Sequence, residues 1–312
     1  AAKLEWRRKI DDEKSPELSQ NLTVARAAGI LKAVAELLAG EAETGGRLHV
    51  VTDAESGLAI RHRGLREIGD GWDVPMLALD ATADESVTAA LLQRPIAKTD
   101  DIRAAEPMLT IRQDPSFSGA KSMLVDTLSE KGKLACANNR RALETYINRQ
   151  ARKIAPAMLL VVGNKALLEL LDLEKNAHTA HFNALRGLNS FAAAKAAIII
   201  GRPQPDERTL AAMTGAIFGR EVEGRINPKG TAWRRTVGGM DVAGKAATHD
   251  DSDAQRLLHL IRDAEVMQAI GRLRAVNRTE PVEVLVLSDA VLSAPVVLVD
   301  AWRGAVKKAD PI

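Results

Sequence analysis

Three short apolar runs most constrain what this chain can fold into: residues 157–162 (A-M-L-L-V-V), Ala196–Ile200 (A-A-I-I-I) and Val282–Leu287 (V-E-V-L-V-L). Each has the length of a strand, and the first two have no polar face. A strand that is apolar on both sides must be covered on both sides, which is the signature of a parallel sheet. Helical periodicity fills the intervals, at 138–154, 165–171, 206–218 and 253–270. Further strands are expected at 108–112 and 179–182. Alternating strands and helices predict an α/β fold, a parallel sheet flanked by helices. The first third of the chain reads differently. Apolar residues at helical spacing (Val24, Ala27, Ala28, Leu31, Val34, Ala35, Leu38) end at Gly40. Short strands follow at 48–51 and 58–61, then a helix from Asp84 to Leu92. The polar stretch 93–106 places a boundary, giving expected domains at 1–105 and 106–312.

A chain of 312 residues has room for about two domains. Apolar residues make up 46% but aromatics only 3%, so the core must be Leu, Val, Ile and Ala. The formal net charge of +2 supplies no global field, so any contact with nucleic acid must come from local patches. A single cysteine, Cys136, excludes an internal disulfide and a cysteine-held cluster. His178 and His181 lie in an expected strand and turn, and no spacing suited to a zinc site occurs, so no metal is expected. No run of 18 apolar residues and no signal sequence is present, so a cytoplasmic protein without a membrane partner is expected.

Three segments carry chemistry. Gln268-Ala-Ile-Gly-Arg-Leu-Arg-Ala-Val-Asn-Arg278 reads Q-x-x-G-R-x-R at the end of a helix, just before a strand. Asn183-Ala-Leu-Arg-Gly-Leu-Asn-Ser-Phe191 precedes the strand 196–200 and its G-R-P-x-P exit. Pro75-Met-Leu-Ala-Leu-Asp-Ala-Thr-Ala-Asp84 reads as an apolar strand ending in D-A-T-A. Taken in chain order, they resemble the third, fifth and sixth motifs of superfamily 2 helicases. The likeness is to the branch of damage-inducible and excision-repair DNA helicases, and to helicase-like proteins carried by phages and plasmids near primase functions. It spans roughly residues 75–288.

The resemblance implies a RecA-like second helicase domain at 106–312, preceded at 1–105 by the tail of a first RecA-like domain or a helical and strand extension. It implies Arg272 and Arg274 as arginine fingers, which neutralise charge on a transferring phosphoryl group, with Gln268 orienting the cleft. Gly271, Gly187, Asn189 and Arg278 would line that cleft, and Asp80, Thr82 and Asp84 would couple it to the strand-binding face. Arg186 would touch a nucleic-acid backbone. A parallel sheet independently places phosphate-type ligands at the carboxyl ends of its strands, where Asp80 to Asp84 and Arg186 to Asn189 are expected. The implied cofactors are ATP and magnesium, with no iron–sulfur cluster. The implied partners are single-stranded nucleic acid, DNA by the branch, and an N-terminal ATPase domain of a longer protein.

Departures from the helicase pattern are specific. No G-x-x-x-x-G-K-[ST] phosphate loop occurs. Ser118-Gly-Ala-Lys-Ser122 reads as a polar loop that starts a helix, and Asp11-Asp-Glu13 as a solvated helix edge. The chain opens Ala1-Ala2, so the expectation is the C-terminal portion of a longer helicase, with ATP held mainly by residues outside it. The usual second arginine would fall at Ala275; Arg274 and Arg278 stand either side, leaving open which is the finger. Asn189 stands where Asp is usual, and Asp80 where Ser is usual.

Residues 219–250 form a glycine-rich insertion. Arg220, Arg225, Lys229, Arg234, Arg235 and Lys245 oppose Glu221, Glu223, Asp241 and Asp250, a local excess of positive charge. A basic loop or hairpin bearing Trp233, Arg234 and Arg235 could grip a backbone and stack a base; a variable surface insertion is the alternative. For the whole chain the alternatives are a catalytically inactive helicase-like binding or scaffold module, and a doubly wound enzyme of another kind.

Overall fold

Six parallel strands form the sheet that the apolar runs predict. The computed structural model describes residues 16–40, 46–53, 57–65, 68, 71, 74–102, 104–125, 129–185, 187 and 189–300. The sheet strands are β3 (Leu109–Asp114), β4 (Leu159–Gly163), β5 (Ala177–His181), β6 (Ala196–Ile200), β9 (Val282–Leu287) and the short β10 (Val297–Leu298). Their order is β10-β3-β9-β6-β4-β5, and every pairing is parallel. This is a mixed α/β architecture with helices on the sheet faces.

Strand alternation divides the core in two. Leu160, Val162, Ala197, Ile199, Val284 and Val286 point to one face. There they meet Val266, Ala269, Ile270 and Leu273 from α7 (Ser252–Gly271) and the residues just after it. Leu159, Val161, Ile198, Ile200, Leu285 and Leu287 point to the other. That side is covered by Leu143, Ile147 and Ala151 of α4 (Glu130–Ile154), Leu124 of α3 (Lys121–Leu124) and Leu167 of α5 (Lys165–Leu168). The long helices start on side-chain caps. Ser129 accepts from Gly132 N–H at the start of α4, and Asp251 accepts from Asp253 and Ala254 N–H at the start of α7. Each cap satisfies donors the first turn cannot.

The chain divides into two discontinuous compact units, and the boundary expected at residue 105 is not where they part. One comprises Ala1–Pro75, Ala89–Pro95 and Glu207–Glu223; the other holds Met76–Thr88, Ile96–Asp206 and Gly224–Ile312, including the sheet. The first unit contains α1 (Pro16–Ala39), an antiparallel hairpin of β1 (Leu48–Asp53) and β2 (Gly57–His62), and α6 (Glu207–Phe218). Among the described residues this unit holds no parallel strand. The helix at 206–218, read as part of the sheet domain, belongs to this unit. Here a Cβ on Gly215 would lie 2.4 Å from Gly46 O, so only glycine lets these backbones approach so closely.

Residues 75–80, read as a strand, pair with no strand. Leu77 and Leu79 are 82% and 87% exposed. The segment ends in an Asx turn, Asp80 Oδ1 accepting from Thr82 N at 2.7 Å. The helix after it is α2 (Glu85–Leu92), capped by Asp84 Oδ1 on Val87 N.

The loop 118–122 does start a helix, α3, and Gly119 has a reason of its own. Gly119 (φ +59°) and Gly201 (φ +71°) lie back to back. A Cβ on Gly201 would sit 2.5 Å from Gly119 O, while Gly201 N–H donates to Leu287 O at 2.9 Å. Gly201→Ala is therefore expected to lower stability by at least about 1–3 kcal/mol, the usual cost of forcing a side chain into such backbone. A thermal melt at unchanged Tm would contradict this packing.

Candidate functional site

The Gln268–Arg278 segment begins as the last turn of α7 and leaves it by an unusual backbone step. Arg272 caps the helix, half-buried, with its N–H on Ala269 O and Ile270 O. Two residues on, Arg274 takes φ 52°, ψ 45°, the left-handed conformation that few non-glycine residues adopt. Such a conformation persists only where the surroundings over-determine it. Here it turns the guanidinium toward the 183–195 loop, and Arg274 Nη2 donates to Asn189 Oδ1 at 2.5 Å. Residues 85 apart in sequence thus meet.

Arg278 has a different task. Its Nε donates to Leu273 O at 2.9 Å, and its Nη2 to Ala192 O and Ala194 O at 2.5 and 2.6 Å. One guanidinium ties the two loops together through three backbone carbonyls. Asn189, Ala192, Arg274, Asn277 and Arg278 line a surface pocket of 320 Å³. Its place corrects the expectation of a site at the carboxyl ends of the strands. Asn189 and Arg274 lie in the loops entering β6 and β9, at the amino ends. Gly187 (φ +77°) and Gly271 are exposed, and a Cβ at either would meet nothing within 4 Å. Arg186 lies outside the described residues.

Gln268 faces another way. Its Nε2 lies 3.4 Å from Thr82 Oγ1, a long contact, and Thr82 Oγ1 in turn donates to Asp80 Oδ1 at 3.1 Å. Asp84 Oδ2 pairs with Arg256 Nη1 at 3.1 Å. Residues 80–84 therefore run along α7. The helix-end segment splits into two faces, Gln268 toward Thr82 and Arg274 toward Asn189. Arg272 is not among the residues lining the Arg274 pocket.

The insertion is a hairpin, β7 (Ile226–Arg235) with β8 (Asp241–His249). Strand alternation decides the fate of its three expected contact residues. Trp233 is 64% exposed. Arg235 also faces solvent, with Nε 2.6 Å and Nη2 3.2 Å from the Asp241 carboxylate. Arg234 points inward at 2% exposure, so its assignment to a nucleic-acid surface is corrected. Its Nη2 donates to Asp289 O (2.6 Å) and Lys245 O (3.1 Å), anchoring the hairpin to the exit of β9.

Arg234 belongs to a buried ionic network that the sequence reading missed. Arg262 and Asp263, each 1% exposed, form a two-point pair with both contacts at 2.6 Å. Arg262 Nη1 also donates to Ala247 O of β8 at 2.5 Å. Asp263 accepts from Val291 N at 2.9 Å and faces His259 Nδ1 at 2.9 Å. Arg202 Nε lies 2.8 Å from Asp289 Oδ1, close enough for an ion pair, and its Nη2 donates to Oδ2 at 3.0 Å. Burial pushes the Asp289 carboxyl up despite Arg202, and lowers the Arg202 and Arg234 guanidinium groups. Asp263 moves the other way: burial raises it, but hydrogen bonds from His259 and Arg262 outweigh that and hold it low. Arg262 falls between Leu258 and Val266 at four-residue spacing, on the buried stripe of α7. That register was the available signal.

Among the described residues, no group of three or more His, Cys, Asp and Glu could hold a metal ion. None of the described helices is long and apolar enough to cross a membrane. Comparison with protein families, with curated proteins and with solved structures finds no match for this chain.

Proposed function

We propose that this chain is the second RecA-like domain of a helicase-type, ATP-driven nucleic-acid translocase. It supplies the arginine side of a nucleotide cleft whose phosphate loop and magnesium site lie in another domain. The observation that carries the reading is the Arg274–Asn189 contact, which joins the two helicase-like segments in one pocket. The six-stranded parallel sheet is compatible with it. Arg274 is the finger and Arg278 its brace, because Nε and Nη2 of Arg278 are held by three backbone carbonyls. The guanidinium of Arg274, exposed and held among the described residues by the neutral amide of Asn189, retains donors for phosphate oxygens. Asn189, unlike the usual Asp, leaves the full positive charge available to such a ligand.

A phosphate-release assay tests the reading. This chain alone should hydrolyse ATP at background, since it lacks a phosphate loop. The product of the complete gene should show turnover stimulated by single-stranded DNA. No turnover from that product would favour the second reading, an inactive nucleic-acid-binding or scaffold module, which the missing loop also suits.

Trp233 is the stacking candidate. It stands on the solvent side of the hairpin, opposite Ala243, with Arg235 and Lys245 on the same face. Stacking one base on an aromatic ring is worth about 1–3 kcal/mol. Trp233→Ala should therefore weaken single-strand binding about five- to a hundredfold without changing Tm. Unchanged affinity would place the strand elsewhere.

A further inference from the structure

A second pocket, of 470 Å³, opens beside α7 and shares no lining residue with the Arg274 pocket. Its volume falls in the range of small-molecule sites, about 300–1,000 Å³. Its polar wall is formed by His249 and Thr248 of β8, Thr231 of β7, and Gln255, Arg256 and His259 of α7. His249 is the informative residue. It is 7% exposed, and its Nδ1 accepts the Asp251 backbone N–H at 3.0 Å. An Nδ1 that accepts places the proton of the neutral ring on Nε2. That Nε2 is buried and meets no acceptor among the described residues. Buried donors without partners are rare in folded chains.

The surrounding groups are committed in ways that leave donors facing the space. Gln255 Oε1 accepts His249 N–H at 2.7 Å, so its carbonyl is occupied and its NH₂ remains. Both carboxylates on the wall, Asp84 and Asp263, are matched by Arg256 and Arg262. Arg256 gives one N–H to Asp84 and keeps others, and it is half exposed. His259 gives its Nδ1–H to the Asp263 carboxylate, so it is not counted among the donors to the space. The threonine hydroxyls can donate as well. A wall of N–H and O–H donors, with its carboxylates already neutralised, suits an acceptor-only ligand. At His249 a cation does not fit, since the Nε2 of its neutral ring carries the proton.

We infer that this pocket binds a phosphate-type oxyanion, held by His249 Nε2–H, Gln255 NH₂ and Arg256. The inference does not depend on the translocase reading. A phosphate ester in solution and a strand's backbone phosphate present the same oxygens, and the test separates them.

The experiment titrates inorganic phosphate into the full chain and follows the His249 side-chain N–H by NMR. Calorimetry runs in parallel on wild type, His249→Asn and Gln255→Glu. The Asn side chain keeps an oxygen near the Nδ1 position for Asp251 N–H but removes the Nε2 donor. Loss of one hydrogen bond to a charged ligand should weaken phosphate binding about tenfold. Gln255→Glu keeps the oxygen that His249 N–H uses and replaces the amide donor with negative charge. It should weaken binding at least as much. Displacement of the bound phosphate by an oligothymidylate without terminal phosphates would assign the site to a strand backbone. Failure to displace would assign it to a free phosphate ester. A His249 resonance that does not move at saturating phosphate would overturn the inference. So would equal affinities in the three proteins.

Discussion

Arg274→Ala in the product of the complete gene should lower ATPase kcat about a thousandfold or more, because arginine fingers contribute about 10³–10⁵. The loss should fall on kcat, since the finger acts on charge that develops in the transition state. The fold should survive: the Arg274 side chain is exposed and bonds Asn189, and its backbone bonds to Gly271 and Asn277 do not need the guanidinium. Relief of its left-handed backbone is not expected, because alanine there has the same Cβ. Arg278→Ala should behave differently. It removes three bonds to backbone carbonyls and should lower Tm as well as activity. Arg272→Ala is a second variant the helicase resemblance marks, and Gln268→Ala should have the smaller effect because Gln268 carries no charge. If Arg278→Ala abolished turnover at unchanged Tm while Arg274→Ala was silent, the finger would be Arg278.

The second large effect concerns the buried pair on α7. Arg262→Ala or Asp263→Ala should each cost about 3–5 kcal/mol, because either leaves a buried charge without its partner. Replacing both with apolar residues of similar volume should cost much less than the sum, and the non-additivity distinguishes an ion pair from simple packing. Arg262 also holds Ala247 O, so some loss from hairpin anchoring should remain in the double variant. The pH dependence has a definite sign. The folded Asp263 carboxyl lies below its ordinary value, so its contribution is complete above the normal carboxylate range. It is lost as pH falls through the depressed folded value. Asp289, raised by burial, works oppositely: it disfavours the folded state while ionised and is relieved on protonation. Chemical denaturation of wild type and Asp263→Asn across acid pH measures both. A variant equal to wild type in stability at neutral pH would contradict the pair's role.

The parallel sheet was legible because burial on both faces removes the period-two alternation and leaves a continuous apolar run. β6 and β9 have the bounds read from sequence, and α7 and α6 start and stop within a residue or two of theirs. Residues 75–80 failed for the same physical reason that β6 succeeded. An apolar run reports affinity for a nonpolar surface, and says nothing of whether a neighbouring strand is there to pair with it. Meeting of the 183–191 and 268–278 segments was implied by the resemblance, yet their side chains were not resolved by it. Whether Arg274 or Arg278 faces the pocket depends on one left-handed residue, and that backbone choice leaves no mark in a non-glycine sequence. Arg234 was misread because charge was taken for exposure; in a two-residue period it alternates with Trp233 and must face inward if Trp233 faces out. The Arg202–Asp289 and Arg262–Asp263 pairs are contacts between distant loops or inside an apolar stripe, and composition cannot reveal them.

As proposed, this chain engages nucleic acid as one half of a motor. The most direct test is fluorescence anisotropy of a labelled single-stranded oligonucleotide titrated with the purified chain over a series of salt concentrations. The account predicts weak binding that falls steeply with salt. Contacts to about three phosphates would give a slope of about −2 in log affinity against log salt, since each neutralised phosphate releases counterions. Absence of binding at about 50 mM salt, where backbone contacts are strongest, or affinity that does not respond to salt, would contradict the account.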